Sequence, residues 1–397
     1  PLLYQVATAA LSPADIAAPI RSVLRRQDHA RVVLGEVTGV DLGRGRVAVG
    51  DGDTFGYDWL VLAPGVTHTY FGNPAWAERA PGLKSIEDAL EIRRRVLLAF
   101  EEAELEDDPE ARRAKLTFVV VGGGPTGVEM AGALREIAAQ TIPDDFRRVD
   151  TSTARVILLE GEDRLLPGMS EMAGRGALHH LEAMGVEVRL GTYLTDLDDE
   201  TVLLGDERLA AANVIWAAGV KAGSLSGTLG VDLDGSGRVK VEPDCSVPGH
   251  PRAFVLGDLA AIQDPRTGQA VPGVAQGALQ MGRHVARIIR EEIENASAAT
   301  SAHRPPFRYR DKGNMATVGR ARAVADLGGR TYSGFFAWIL WSAIHVAFLI
   351  GFRNRILVMV NWAWQWLVQA RGARLITEAP GDRPPRSSGN AEEGPGD

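Results

Sequence analysis

Three glycines, Gly122, Gly124 and Gly127, stand at G-x-G-x-x-G spacing inside the run VVVGGGPTGVEMAGAL. The run opens as a buried-type strand from Phe118 to Val121 and turns helical by Thr126, so the glycines fall at a strand-to-helix turn that also holds Gly123 and Pro125. Gly122 permits the tight turn, Gly124 lets backbone N–H groups approach a pyrophosphate, and Gly127 lets the helix lie close on the sheet. A phosphate held there meets the positive end of the helix dipole. The chemistry is dinucleotide binding, with an ordinary glycine turn as the alternative.

A second acid-bearing turn follows. The strand Arg155 to Leu159 ends in Glu160, and a carboxylate at that point accepts hydrogen bonds from an adenosine ribose and repels a 2′-phosphate, which favours NAD over NADP. The spacing is long because Gln140 to Ala154 is inserted, and a strand-capping surface carboxylate is the plainer reading. The segment AFVLGDLA places Gly257 and Asp258 at the end of another apolar strand, where a short carboxylate can bond a ligand hydroxyl such as a ribityl oxygen. Pro64-Gly65 and Ala218-Gly219 form similar small-residue turns at strand ends, the place where open α/β sheets bind ligands.

These turns require a frame. Short β-type runs at Arg31 to Leu34, Arg46 to Val49 and Trp59 to Ala63 read as a meander ending in a buried strand. A helix over Ile86 to about Glu104 leads into an acidic connector, Glu106 to Glu110. Strands at Arg155 to Leu159, Val186 to Leu190 and Asn213 to Ala217 continue an alternating α/β pattern with a parallel sheet. Beyond Ala253 come a strand, Phe254 to Leu256, and a long helix from about Pro272 to Glu291. The predicted fold is α/β, with two interleaved Rossmann-like dinucleotide-binding domains and a C-terminal membrane-associating helical segment. Its predicted divisions are 1–85 and 236–298 for one nucleotide domain, 86–115 for a helix and linker, 116–235 for the NAD(H) domain, 299–376 for the C-terminal region and 377–397 for a disordered tail.

Composition narrows the classes. The 397 residues carry a formal charge of -8, which argues against a general nucleic-acid binder. A single cysteine, Cys245, excludes an internal disulfide and a redox-active cysteine pair, and no metal site is expected. From Phe335 to Phe352 the chain reads FFAWILWSAIHVAFLIGF without a formal charge, a span of roughly 27 Å as one helix, slightly short of a hydrocarbon core of about 30 Å. Ile356 to Ala370 is apolar except for a stripe of Asn361, Gln365 and Gln369 in line with Asn354, which is an amphipathic pattern. Five of the eight tryptophans lie here, and Arg353, Arg355, Arg371 and Arg374 flank the region, as suits an anionic lipid surface. Two helices lying in one face of the bilayer are favoured; a single span and a buried dimer interface stay open. His345 reads as an interfacial side chain rather than a ligand.

The order of these segments resembles the two-dinucleotide flavoproteins, and more closely the type II NADH:quinone oxidoreductases. The resemblance rests on PLLYQVATAALSP, YDWLVLAPG, VVVGGGPTGVEMAGAL, VIWAAGV, AFVLGDLA, VAQGALQMG, KGNMATVGRARAV and the aromatic C-terminal segment, and spans Pro1 to about Ile376. It implies an FAD-dependent NADH dehydrogenase that passes electrons to a membrane quinone without pumping protons, on the cytoplasmic face of the cell membrane, with a homodimer left open. It further implies that Gly122 to Gly127 hold NADH with Glu160 on its ribose, that Asp258 binds the ribityl chain, and that Pro64, Gly65 and the segment around Gln5 line the flavin ring. Gln276 and Gln280 match a glutamine pair near the quinone, Lys312 a lysine near the flavin, and Glu129 an acid between the nicotinamide and quinone approaches. Each has a plainer reading: Glu129 suits the helix dipole, the glutamines bond neighbouring backbone, and Lys312 is solvated.

Two departures stand out. Pro64 replaces the usual Thr of the Ala-Thr-Gly turn, and the family's first glycine-rich strand and helix, which grip the ADP half of FAD, would precede PLLYQVAT. The expectation is therefore an N-terminally truncated chain with an incomplete FAD domain that holds FAD weakly, and the function assigned is that of the intact protein. The competing readings are a soluble-type NADH-dependent flavoprotein reductase and a non-catalytic membrane-docked NAD-binding regulator. Disulfide reductases and sulfide:quinone reductases need cysteines that Cys245 alone cannot supply.

Overall fold

The computed structural model of the chain describes residues 2–198, 200–294, 304–368 and 371–376. In chain order, the elements that position the site are helix α1 (Leu3–Ala7), strand β1 (Leu60–Leu62), helix α2 (Ile86–Leu105), strand β2 (Thr117–Val121), helix α3 (Pro125–Glu136) and strands β3 (Arg155–Leu159), β4 (Val186–Arg189), β5 (Asn213–Trp216) and β6 (His250–Val255). Helix α4 (Ala275–Glu294), strands β7 (Asn314–Gly319), β8 (Arg322–Leu327) and β9 (Arg330–Gly334), and helices α5 (Phe335–Phe348) and α6 (Phe352–Val368) complete the set.

Strand β2 is buried along its whole length, as a Val/Phe run at the centre of a parallel sheet must be. The sheet runs β5-β2-β3-β4, all parallel. A second sheet pairs β1 with β6 in parallel, Leu62 opposite Val255. The chain thus leaves one nucleotide unit at β1, builds the other, and returns at β6, so the predicted interleaving is present. A short antiparallel pair, Val66–His68 with Val220–Ala222, ties the two units together.

Helix α3 lies flush on β7: a Cβ at Gly132 would stand 2.3 Å from the Val318 carbonyl oxygen. Strands β7, β8 and β9 form an antiparallel meander that the sequence pattern had not singled out as β. The predicted strand at Arg31 to Leu34 is absent; the meander there begins at Val37, where pairing with Val49 starts. Part of the acidic connector is helical, because Asp108 caps a short helix, Pro109–Lys115.

The apolar stretch beginning at Phe335 is not one helix. Helix α5 ends after 14 residues, about 21 Å, and the chain reverses through Gly351 at φ 89°. No helix among the described residues is long and apolar enough to cross a membrane.

Helix α6 is amphipathic, as its sequence predicts, but its polar stripe faces protein. Asn354 donates to the Ala17 carbonyl (3.2 Å), Asn361 to the Asp15 carboxylate (3.5 Å) and Gln365 to the Ala10 carbonyl (2.5 Å). The outer face is apolar, with Phe352 77% and Leu367 71% exposed. Gln369 and the tail over 377–397 lie outside the described residues.

Two of the four arginines read as lipid-facing are committed elsewhere. Arg371 is buried, pairs with Glu136 at 3.0 Å and donates to the Thr8 carbonyl, and Arg374 pairs with Asp145. The tryptophans divide likewise: Trp341 is buried and Trp338 and Trp362 pack on the core, while Trp364 and Trp366 are exposed. Breaking a buried pair from one side leaves an uncompensated charge, so Arg371→Met is expected to cost about 3 kcal/mol of stability. Urea unfolding monitored by tryptophan fluorescence checks this, and a loss below about 1 kcal/mol contradicts the docked arrangement.

Candidate functional site

The glycine turn is built as its spacing requires. Gly122 adopts φ 109°, and a Cβ there would lie 2.8 Å from the Ala217 carbonyl carbon. A Cβ at Gly127 would lie 1.8 Å from the Gly122 oxygen, whereas one at Gly124 meets nothing within 4 Å. The turn is therefore closed on its protein side and open beside Gly124, at the N-terminus of α3, where Pro125 and Thr126 begin the helix. Glu160, at the end of β3, accepts from the Gly123 N–H at 2.5 Å and from the Glu162 N–H at 2.8 Å. It stands beside the glycine turn because β2 and β3 are neighbours in register. Ala218 and Gly219 follow β5, the other neighbour of β2.

A feature absent from the sequence reading sits here. Phe71 holds a left-handed backbone, φ 47°, and is 67% exposed, with its ring over Gly219 so closely that a Cβ there would be 2.6 Å from the ring. Backbone strain at an aromatic residue is a mark of functional constraint. The only local signal was the Phe71-Gly72 turn.

The second turn pair is also assembled. The Leu256 N–H donates to the Leu62 carbonyl at 2.9 Å, which sets Pro64-Gly65 beside Gly257-Asp258 at the ends of adjacent parallel strands. Gly65 and Gly257 adopt φ 75° and 66°. The Asp258 carboxylate has no hydrogen-bond partner among the described residues. The start of α4 packs on this loop: a Cβ at Gly257 would lie 3.2 Å from that of Ala278, and one at Gly273 would lie 3.5 Å from the Asp258 carboxyl. Gln276 belongs to this same first turn.

Behind the glycine turn lies a narrow cavity of about 100 Å³ lined by Gln5, Glu129, Glu136, Thr317, Trp341 and Trp362, among others. Gln5 is buried, donates to the Tyr4 hydroxyl at 2.8 Å and accepts from the Trp362 indole at 2.8 Å. Burial pushes the Glu129 carboxyl up to about 8, against a stabilising N–H from Thr317 at 3.4 Å. The buried indole N–H of Trp341 faces the Glu129 carboxyl and works against its raised pKa, without reaching ordinary hydrogen-bond geometry. Trp338, Trp362 and Trp366 are shared with an apolar groove of about 770 Å³ between α5 and α6.

Glu129 and Gln5 are thus brought together, while Gln276, Gln280 and Lys312 do not line that cavity. Gln280 exchanges two hydrogen bonds with the Arg310 backbone, at 3.0 and 2.9 Å, and Lys312 is exposed with its ammonium 6.0 Å from the Phe348 ring centroid. His345 stacks on Trp341 at 4.2 Å and bonds its carbonyl at 2.8 Å, and burial lowers its pKa. Cys245 is buried, and its thiol is pushed up to about 12 by desolvation, so it is no nucleophile.

Two interleaved parallel units, each with a glycine turn open at a strand end, define a two-dinucleotide flavoprotein reductase. Residues 1–282 match the pyridine nucleotide-disulphide oxidoreductase family, and residues 312–370 match the NDH2 C-terminal domain. A type II NADH:quinone oxidoreductase of Mycobacterium tuberculosis is 46% identical over 391 residues, covering 95% of this chain and 82% of the relative. One from Staphylococcus haemolyticus is 30% identical over 340 residues, covering 84% and 80%. The fold matches that of NDH2 from Plasmodium falciparum, solved in complex with NADH, with TM-score 0.85 at 19% identity, covering 95% and 92% of the two chains. The chain belongs to the type II NADH:quinone oxidoreductases.

Gly127→Ala forces the helix off the turn, and its KM for NADH is expected to rise roughly tenfold or more with the fold intact by circular dichroism. An unchanged KM contradicts the placement of NADH at this turn.

Proposed function

We propose that the chain carries out the family's reaction, NADH oxidation coupled to quinone reduction, with NADH at the Gly122–Gly127 turn, FAD at the Pro64-Gly65 and Gly257-Asp258 turns, and the quinone ring in the cavity beside Glu129. The FAD half is formed by 1–85 and 236–298 and the NAD(H) half by 116–235. The flavin fit is supported by the unpartnered Asp258 carboxylate and by Gly65, where an added Cβ meets nothing within 4 Å. When bound, the flavin supplies the two-electron step between NADH and quinone.

The chain's own contribution is alignment, exclusion of water and proton supply. Glu160 receives the adenosine ribose, and Phe71 covers the nicotinamide end of the cleft. Gln276 serves the flavin side; Gln280 acts through the Arg310 loop it holds. The observation that carries the quinone assignment is the meeting, in one cavity that adjoins the apolar groove, of the Glu129 carboxyl, its pKa raised by burial, with the Trp341 indole N–H that faces it. A quinone carbonyl oxygen accepts from the indole N–H, and Glu129 supplies the one proton that NADH oxidation by a quinone takes up, the quinol's other hydrogen originating in the hydride of NADH. The apolar groove shared through Trp338, Trp362 and Trp366 gives a lipid-dissolved substrate its way in, with α5 and α6 lying on the cytoplasmic face of the membrane.

Because the Glu129 pKa is raised, the donor form is present below about 8 and lost as the pH rises through it. Quinone reduction is expected to fall over that range in the native chain. Glu129→Gln should flatten the profile and lower the rate roughly 100-fold, while reduction of a water-soluble one-electron dye is spared; a native pH limb in the variant refutes the role. Glu160→Ala is expected to lower the NADH over NADPH preference in kcat/KM by about tenfold. For the membrane face, Phe352→Glu with Leu367→Glu should abolish co-sedimentation with neutral phosphatidylcholine vesicles, and undiminished sedimentation counts against it.

A further inference from the structure

We propose that the groove between α4 and the segment Pro305 to Arg308 is a binding site for a phosphate group. The inference does not rest on the quinone assignment. The groove, of about 500 Å³, is lined by Arg283, His284, Arg287, Phe307 and Arg308.

Three arginines line the groove, all exposed, and none forms an ion pair or hydrogen bond among the described residues. Arg283 and Arg287 are four apart on one helix, a like-charge spacing that costs stability unless an anion bridges it. Arg308 adds a third cation from a separate segment. This happens in a chain of net charge -8, so the cluster is not a reflection of general basicity. The residues that join α4 to Arg304 beyond the described helix, 295–303, contain no Asp or Glu.

His284 supplies the second observation. Its ring packs edge-on against Phe307 at 5.6 Å, and one nitrogen bonds the Pro305 carbonyl. The other, Nε2, has no hydrogen-bond partner among the described residues, although the ring as a whole is only half-buried and lines the groove. The carboxylates the ring feels are Asp244 and Glu291. Asp244 is already paired with Arg304 at 3.0 Å, and Glu291 makes no hydrogen bond to the ring. An unpartnered imidazole nitrogen in a groove walled by three arginines suits a ligand with several acceptor oxygens and, for the neutral ring, a hydroxyl donor. Inorganic phosphate and a singly ionised phosphate monoester have both, and in a phosphatidylglycerol headgroup the glycerol hydroxyls supply the donor beside the phosphodiester oxygens. Guanidinium forks match its tetrahedral face better than they match a single carbonyl.

The phosphate could belong to an anionic lipid headgroup or to a soluble phosphate ester, and the test separates them. The full chain in detergent is titrated with inorganic phosphate by calorimetry, and in parallel mixed with phosphatidylcholine vesicles with or without one part in three phosphatidylglycerol. Saturable phosphate binding is expected, weakened roughly tenfold or more in the Arg283→Gln, Arg287→Gln, Arg308→Gln variant and unchanged in Arg330→Gln, a control on β9. Preference for phosphatidylglycerol that free phosphate competes away, and that the triple variant loses, assigns the site to a headgroup. Phosphate binding without that preference assigns it to a soluble ester. Should the triple variant unfold, His284→Gln is titrated instead, with the same weakening expected. No saturable binding of either probe, or equal binding by variant and control, overturns the proposal.

Discussion

The contact on which the rest depends is that of α3 with β7 at Gly132, where helix backbone meets strand backbone with no room for a side chain between them. A methyl group there would push the helix away from the meander. Only at that closeness can one twelve-residue helix serve three purposes along its length. Its N-terminus opens on the glycine turn, its second turn delivers Glu129 into the cavity, and its last residue, Glu136, receives Arg371 and the Arg320 N–H. The nucleotide unit and the C-terminal region are thereby a single packed body around the Glu129 carboxyl.

The pKa of that carboxyl is raised because it is buried, not because another acid faces it. Burial comes from residues far apart in sequence: Gln5 and Tyr4 from the opening helix, Thr317 from β7, and the indoles of α5 and α6. Trp362 is steered by the hydrogen bond it gives to Gln5, which couples the outer helix to the polar wall of the cavity. The chemistry needed on the two sides of this body differs accordingly. The Gly124 side is open and dipolar, suited to phosphate, while the groove side is aromatic and aliphatic.

Much of the frame was legible because it is local. The glycine turn is set by residues within one turn of each other, and an all-apolar run such as Thr117–Val121 has few places to go except the middle of a parallel sheet. The return of the chain from β5 to β6 could be inferred from the order of the small-residue turns. Direction was not legible. The periodicity of Asn354, Asn361 and Gln365 marks a polar face but says nothing of whether water or the carbonyls of Ala10 and Ala17 satisfy it. Arg371 and Arg374 read as lipid-facing because no acid is near them in sequence, yet Glu136 and Asp145 reach them across 235 and 229 positions. Gln280 could be recognised as one of a pair four apart, but its use in fastening Arg310 depends on a loop thirty residues away. The left-handed backbone of Phe71 is a tertiary imposition with no compositional trace.

The inward polar stripe of α6 has one more consequence. An ordinary surface helix keeps its hydrophilic flank for solvent and is at ease in water when detached from its partners. Here that flank is already sutured to the opening segment, and the side left over is Phe352, Met359, Val360 and Leu367. In plain buffer that side is apolar surface left against water, so an amphiphile added during purification is expected to act as a stand-in for a missing wall of the protein rather than as a convenience of handling.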